Sequence, residues 1–332
     1  MSTATVIPAP PAKATAKPSE ELIEVRVADI KAAAQDTKLY ELHAADGRLL
    51  PSAEPGAHID VHLPNGKQRQ YSLTVCEPNP KRYLIGVKRD PASRGGSTYM
   101  HDQVKAGQTL KIRPPSNHFP LVENTAHVVL IAGGIGITPI YCMVQRLAAL
   151  GRSWELHYSC RSRADMAFRE ELAKYHQAHL HFDDESGGKF LDLAAIVAEA
   201  PKDAHLYCCG PLPMLKAFED ATANWPRAQI HVEYFAPKQE PAKAGGFVVE
   251  LKRSGQEFVI PEGKTILQVL LDAGVYVDYS CELGICGLCQ TPLLSGTPEH
   301  RDAFLTDEQK AANDTVMICC AGSLSERLVL DL

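Results

Sequence analysis

The sequence predicts three successive folded modules: an antiparallel β-barrel, an α/β domain with a parallel sheet, and a small C-terminal β-grasp domain. Residues 57–63 alternate apolar and polar side chains before Asn65-Gly66, which predicts an antiparallel hairpin. A nearly continuous apolar run at residues 127–132 precedes a glycine-rich turn, as in a buried parallel strand. Three cysteines crowd residues 281–289, after a predicted hairpin and helix.

Composition narrows the class of protein. The chain has 332 residues, 45% apolar and 22% charged, which is typical of a globular protein of two or three domains. A formal net charge of −6 gives no indication of nucleic-acid binding. No run of 18 apolar residues occurs, so no membrane span is expected.

Residues 1–20 are rich in Ala, Pro, Thr and Lys and contain no apolar segment of a secretory signal, so we expect a disordered tail. Six cysteines lie outside the C-terminal set and show no paired spacing, which favours a reducing cytoplasm.

The excess of acidic residues lies in the C-terminal part of the chain. Residues 246–332 contain thirteen Asp and Glu against six Lys and Arg, which suits either solubility or steering toward a basic redox partner.

The first module, residues 21–122, reads as short strands and turns that would close as a barrel. Its return strand contains Arg69-Gln70-Tyr71-Ser72, and Gly95-Gly96-Ser97 begins a short helix. A flavin mononucleotide needs a cation for its phosphate, a wall for its ring and donors for its ring atoms, and these residue types supply them. By themselves they are equally typical of an exposed strand face.

The second module, residues 123–236, has a glycine-rich turn, Gly133-Gly134-Ile135-Gly136, after its first strand. Thr138 is expected to cap the following helix, with Pro139 at its first position. Strand, turn and helix start together suit a pyrophosphate or nicotinamide, although the turn lacks the G-x-G-x-x-G pattern and a plain packing turn is the alternative.

Two more strands support this α/β prediction. One ends before Arg161 and Arg163, which suit an adenosine ribose or its 2′-phosphate, with solvated charge as the alternative. The other ends at Cys209, with Gly210-Pro211 after it. Cys209 would lie beside the nicotinamide or be an ordinary buried thiol.

Residues 237–246 read as a linker and residues 247–332 as the third module. Cys281, Cys286 and Cys289 have the C-x4-C-x2-C spacing of a plant-type [2Fe–2S] cluster, which four thiolates hold. Zinc sites prefer two paired units, and ten cysteines in this length are too few for a disulfide framework. Cys319 best fits as the fourth ligand, because in an extended segment its neighbour Cys320 would face the opposite way.

All three modules, over residues 21–332, resemble the phthalate dioxygenase reductase family. The marks of the resemblance are Arg69-Gln70-Tyr71-Ser72-Leu73, Val87-Lys88-Arg89, Gly95-Gly96-Ser97, Gly133 to Pro139, Cys209-Gly210-Pro211, the cysteine cluster, and Ser325 to Leu330. The resemblance implies FMN at Arg69, Tyr71, Ser72, Val87, Lys88, Gly96 and Ser97. It implies NADH at Gly133, Gly134, Gly136, Thr138, Arg161, Cys209, Gly210 and Pro211, and catalytic contacts from Ser72, Cys209 and Phe235.

The resemblance also implies a function. We expect an NADH-dependent oxidoreductase that passes electrons through FMN and a [2Fe–2S] cluster held by Cys281, Cys286, Cys289 and Cys319 to a Rieske-type terminal oxygenase, which hydroxylates or demethylates an aromatic compound. One alternative is an NAD(P)H reductase that feeds an unrelated acceptor, and another is a redox-sensing ferredoxin-like module without turnover. Arg163 leaves the choice between NADH and NADPH open.

Overall fold

A computed structural model describes residues 22–332, so the predicted tail at residues 1–20 lies outside the described residues. The described chain forms two compact units, residues 22–236 and residues 237–332. The first unit contains both the antiparallel sheet and the parallel sheet, and the second contains the cysteine loop.

The antiparallel sheet has six strands in the order β4-β3-β6-β1-β2-β5 and curls into a barrel. Leu73, which follows β4, bridges to Ile85 on β5 and so brings the two edge strands together. The inward residues form one apolar core with Met100, which lies on the short helix after β5. The strands and the helix of this part are β1 (Ile23–Ala34), β2 (Thr37–Ala44), β3 (His58–His62), β4 (Gln68–Ser72), β5 (Tyr83–Lys88), β6 (Thr109–Ile112) and α1 (Ser97–Asp102).

The hairpin of β3 and β4 turns where the sequence predicts it. Gly66 has a φ of 77°, a left-handed conformation that favours glycine. The Leu63 amide donates to the Lys67 carbonyl and closes the turn. This register pairs Ser72 with His58 and Tyr71 with Ile59.

The parallel sheet has the order β11-β10-β7-β8-β9, with helices packed on both faces. Every residue of β7 is buried, as the apolar run predicts for the central strand. The elements are β7 (Val128–Gly133), β8 (Trp154–Cys160), β9 (Ala178–Phe182), β10 (His205–Cys209), β11 (Ile230–Glu233), α2 (Ile137–Ala149), α3 (Arg169–Leu172), α4 (Leu193–Glu199) and α5 (Leu212–Ala221).

One local prediction in this sheet is wrong. Thr138 does not cap α2, because a short 3₁₀ turn over Gly134–Gly136 runs directly into the helix, which begins at Ile137. The Thr138 hydroxyl instead donates to the Ile135 carbonyl at 2.9 Å. Pro139 is therefore the third residue of the helix and not the first.

The second unit has a five-stranded sheet in the order β13-β12-β18-β14-β16, with β12 and β18 parallel at its centre and α6 packed over it. A reciprocal cap between Thr265 and Gln268 begins α6. The elements are β12 (Phe247–Leu251), β13 (Gln256–Ile260), β14 (Gln290–Ser295), β15 (Pro298–Glu299), β16 (Thr315–Met317), β17 (Gly322–Ser323), β18 (Arg327–Leu330), α6 (Ile266–Asp272) and α7 (Asp307–Ala312).

The second half of the predicted linker is hydrogen-bonded to this unit. The Ala242 amide donates to the Cys320 carbonyl at 2.8 Å, and the Lys243 carbonyl accepts from the Gly263 amide at 2.8 Å. These bonds tie residues 242–243 to the cysteine-bearing unit.

Candidate functional site

The predicted phosphate ligand, Arg69, lies on β4 beside the start of α1. A β-carbon at Gly96 would stand 2.6 Å from Nε of Arg69, so glycine lets the guanidinium pass across the helix start. Nη1 of Arg69 donates to the Gln68 carbonyl at 2.7 Å, which fixes the side chain in place. A fixed cation beside the backbone of Gly96 and Ser97 fits the phosphate of FMN.

Tyr71 provides a test of whether a flavin fits here. Its hydroxyl is buried and has no hydrogen-bond partner within residues 22–332. Burial raises the pKa of this phenol, so it stays protonated and able to donate. A buried hydroxyl without a partner is unfavourable, and a bound ring with polar edge atoms would supply one.

The other predicted flavin residues lie nearby in the barrel. Ser72 is buried at the end of β4, and Val87 and Lys88 end β5. The Val87 carbonyl accepts from Nε2 of His101 at 2.8 Å, which anchors the end of β5 to α1.

The barrel meets the glycine-rich turn at Gly86. A β-carbon at Gly86 would stand 2.7 Å from Cγ2 of Thr138 and 3.7 Å from Cδ1 of Ile135. The strand that carries Val87 and Lys88 therefore lies directly against the predicted nicotinamide turn, within one compact unit. The fold brings together two residue sets that the sequence could only predict separately.

The two turns of the predicted nicotinamide site pack against each other. Cys209 pairs with Ala132 in the parallel register of β10 and β7. A β-carbon at Gly136 would collide with the Cys209 carbonyl, and one at Gly210 would stand 3.2 Å from Cα of Gly133. The strand order reverses between β7 and β10, and open α/β sheets bind dinucleotides at such a point.

Cys209 is fully buried, and its thiol donates to Oε2 of Glu233 at 3.9 Å. Burial raises the pKa of Glu233 to about 8, so the carboxyl is mostly protonated at neutral pH. Burial also raises the pKa of Cys209, which keeps the thiol neutral. Cys209 is thus suited to contact a nicotinamide ring and not to attack it.

The remaining predicted residues of this site lie at its rim. Arg161 follows β8 and its side chain is exposed, while its carbonyl accepts from the Asp184 amide at 3.0 Å. Phe235 follows β11 and is 38% exposed.

In the second unit, all four predicted cluster ligands are buried. The Cys281 thiol interacts with those of Cys286 and Cys319, and the Cys319 thiol also interacts with that of Cys289. The Leu283 amide donates to Sγ of Cys281 at 3.3 Å. These hydrogen bonds lower the pKa of the Cys281 thiol, which favours the thiolate that an iron needs.

Two glycines shape this loop. Gly284 and Gly287 have φ values of 69° and 78°, and a β-carbon at Gly287 would collide with the Phe304 ring. Among residues 22–332, no three Cys, His, Asp or Glu side chains surround one point as they would a zinc ion. A [2Fe–2S] core would need no such grouping, because each of its two irons would take only two of the four thiolates.

Cys320 is also close to the loop, and its thiol interacts with that of Cys319. It lies in a turn, where its amide donates to the Met317 carbonyl at 3.1 Å and its thiol reaches the same carbonyl at 3.7 Å. The choice of Cys319 assumed an extended segment, but the structure has a turn there. The four-thiol arrangement nevertheless includes Cys319 and fits a [2Fe–2S] cluster.

No helix within residues 22–332 combines the length and the apolar character that crossing a bilayer requires.

Comparison with known proteins agrees with this division of roles. Residues 130–220 match the oxidoreductase NAD-binding domain, and residues 249–322 match the 2Fe-2S iron-sulfur cluster binding domain. The chain is 50% identical over 317 residues to tetrachlorobenzoquinone reductase of Sphingobium chlorophenolicum, covering 93% of this chain and 98% of that protein. It is 50% identical over 311 residues to phenoxybenzoate dioxygenase subunit beta of Ectopseudomonas oleovorans, covering 93% and 97%.

Among solved structures, phthalate dioxygenase reductase is similar with a TM-score of 0.75 and 38% identity, covering 94% of this chain and 98% of that one. The chain belongs to the phthalate dioxygenase reductase family. The predicted family, fold class and enzyme class are confirmed. The predicted cofactors, FMN, NADH and a [2Fe–2S] cluster, are those of this family.

Sequence reasoning missed one member of the phthalate dioxygenase reductase site. Glu233 ends β11, and its contact with Cys209 was not predicted. The signal was weak, since a carboxyl at the end of a strand usually indicates a solvated edge. The roles of the individual site residues stay predictions.

Proposed function

We propose that this reductase passes electrons from NADH through FMN and its [2Fe–2S] cluster to a Rieske-type terminal oxygenase that acts on an aromatic compound. The approach of Gly86 to Thr138 carries the proposal, because it puts the predicted flavin strand beside the predicted nicotinamide turn. The family relationship supports an oxygenase as the partner, since one relative is a subunit of phenoxybenzoate dioxygenase.

The chain's residues serve this chemistry by binding and orientation. When bound, FMN would supply the conversion between the two-electron donor NADH and the one-electron cluster. Arg69 would hold its phosphate, and the Tyr71 hydroxyl would donate to its ring system. The turns at Gly136 and Gly210 would hold the nicotinamide. The Cys209 thiol, which burial keeps neutral, would line that site without acting as a nucleophile.

A second candidate acceptor follows from an equally similar relative. Tetrachlorobenzoquinone reductase matches this chain at the same 50% identity, which favours a chlorinated quinone as an alternative acceptor. A quinone is small enough to reach a reduced flavin directly, whereas an oxygenase must dock on the cysteine-bearing unit. The two functions therefore differ in whether they need the cluster.

The test uses purified holoprotein under anaerobic conditions. NADH should bleach both the flavin bands and the cluster shoulder, and a Rieske oxygenase added afterwards should be reduced. A matched Cys286→Ser variant should still bleach its flavin but fail to reduce the oxygenase. If the wild type reduces only the quinone, and Cys286→Ser does so equally well, the oxygenase proposal is wrong. A cluster spectrum that responds to no nicotinamide would leave only the redox-sensing module.

A further inference from the structure

The carboxyl ends of β8 and β9 form the part of the sheet edge beyond the glycine-rich turn. These strands are parallel neighbours, with Cys160 paired to Phe182 at their last residues. A dinucleotide that places its nicotinamide at the switch point extends its adenosine half along this edge. The residues that follow β8 and β9 are therefore those that meet the adenosine ribose.

Arg163, just after β8, is already bound to a carboxylate there. Its Nη2 donates to Oε2 of Glu185 at 2.8 Å, and its Nε donates to Oε1, so the pair is bidentate. The guanidinium carbon also lies over the Phe182 ring, 4.4 Å from its centre. Both contacts favour this one orientation of Arg163.

The loop that carries Glu185 is itself well fixed. The Ser186 amide donates to the Phe182 carbonyl at 3.1 Å, and the Gly188 amide donates to the Asp183 carbonyl at 2.8 Å. Asp183 and Asp184 precede Glu185 in this loop. The Asp183 carboxylate accepts from the Ser159 hydroxyl at 3.1 Å, whereas Asp184 and Glu185 both act electrostatically on Arg163. Arg161, in contrast, forms no side-chain ion pair among the described residues and can serve the pyrophosphate that both nucleotides share.

We propose that Glu185 is the specificity-determining residue that selects NADH over NADPH, by occupying Arg163 and presenting a carboxylate to the 2′ position of the ribose. This inference rests on the proposed function and specifies which nucleotide that function uses. A ribose 2′-hydroxyl can donate to a carboxylate, and acidic residues accept this hydrogen bond in NAD sites. A 2′-phosphate would meet the carboxylate's charge, with the Arg163 guanidinium already engaged.

The test measures binding separately from turnover. Adenosine 2′,5′-bisphosphate and 5′-AMP are titrated calorimetrically into holoprotein of the wild type and of Glu185→Gln. The wild type should bind 5′-AMP more tightly. Glu185→Gln should bind the bisphosphate at least about tenfold more tightly than the wild type does, because the released guanidinium adds one charge-assisted hydrogen bond. NADPH should then reduce the flavin with a correspondingly higher kcat/KM.

Two further variants make the result specific. Asp184→Asn removes the same formal charge one residue away and leaves the pair with Arg163 intact, so its gain should be clearly smaller. Glu185→Gln combined with Arg163→Gln should lose the gain, because no guanidinium is then released. An equal gain in Asp184→Asn, or a gain that survives the loss of Arg163, would overturn the inference.

Failure of this inference can be distinguished from failure of the proposed function. If NADH bleaches the wild type but Glu185→Gln binds the bisphosphate no better, only the role of Glu185 is wrong. If neither nucleotide bleaches the wild type, the proposed reductase function is wrong. The calorimetric comparison with the bisphosphate still decides the role of Glu185 in that case.

Discussion

Gly86 on β5 lies so close to Thr138 on α2 that a β-carbon at Gly86 would stand 2.7 Å from the Cγ2 methyl. Real carbon contacts are near 3.5–4.0 Å, so no side chain fits between the barrel and the helix start at this point. The distance between the predicted flavin strand and the predicted nicotinamide turn is therefore set by the absence of one methyl group.

Gly86→Ala should move this strand away from the turn. We expect a slower reduction of the flavin by NADH in anaerobic stopped-flow measurements, and a loss of about 1–3 kcal/mol in the free energy of unfolding, as for other overpacked sites. Thr138→Ser removes the methyl that the new side chain meets and keeps the hydroxyl that bonds to Ile135. The double variant should recover most of the rate. If it does not, the close approach does not govern hydride transfer.

Tyr71→Phe should have opposite effects on binding and on stability. In the flavin-free protein the Tyr71 hydroxyl is buried without a partner among the described residues, so its removal should leave the free energy of unfolding unchanged or raise it by about 1 kcal/mol. In the holoprotein the hydroxyl gains a partner, so FMN should bind about fivefold more weakly.

Fluorescence titration of FMN and urea unfolding of the flavin-free protein measure the two effects of Tyr71→Phe. A variant that binds FMN as tightly as the wild type would show that the flavin does not use this hydroxyl. A variant that is destabilised without FMN would show that the hydroxyl already has a partner in the protein.

Much of the fold follows from local signals in the sequence. The all-buried β7, the Asn65-Gly66 hairpin and the Thr265 cap of α6 each depend on side chains within a few residues of one another. The cysteine loop is equally local, since the spacing and the two glycines specify a tight wrap. Such features can be predicted because the energy that selects them is contained within one short segment.

The rest depends on partners that are distant in the chain. Gly86 meets Thr138, Cys209 meets Glu233, and Arg163 meets Glu185 only after the strands are ordered. Their residue types give no sign of these contacts, because arginine, glutamate and cysteine occur as readily in bland surroundings. Thr138 is a case in which a local signal gave a wrong prediction. Threonine often caps helices, but here the 3₁₀ turn before it runs directly into α2 and the Thr138 hydroxyl bonds to Ile135.

Cys319→Ser and Cys320→Ala should separate the two adjacent thiols. The Cys319 thiol interacts with those of Cys281 and Cys289, whereas the Cys320 thiol interacts with that of Cys319 and with the Met317 carbonyl. We therefore expect Cys319→Ser to lose the cluster and Cys320→Ala to retain it. Iron content and the visible absorption of the purified variants measure this. Cluster loss in Cys320→Ala with retention in Cys319→Ser would move the fourth ligand to Cys320.

The buried carboxyl of Glu233 should make stability depend on pH. Burial raises its pKa from 4.5 to about 8, so between these values the folded protein holds a proton that the unfolded chain releases. The free energy of unfolding should then fall as the pH rises through this window, by up to about 1.4 kcal/mol per pH unit.

Glu233→Gln keeps the shape of the side chain and removes the proton equilibrium, so its thermal midpoint should fall less than that of the wild type between about pH 5.5 and about pH 7.5. Glu170→Gln, on the exposed side of α3, is the matched control and should follow the wild type. Parallel curves for Glu233→Gln and the wild type would mean that Glu233 is already ionised in the fold, and that Cys209 lies beside a charge.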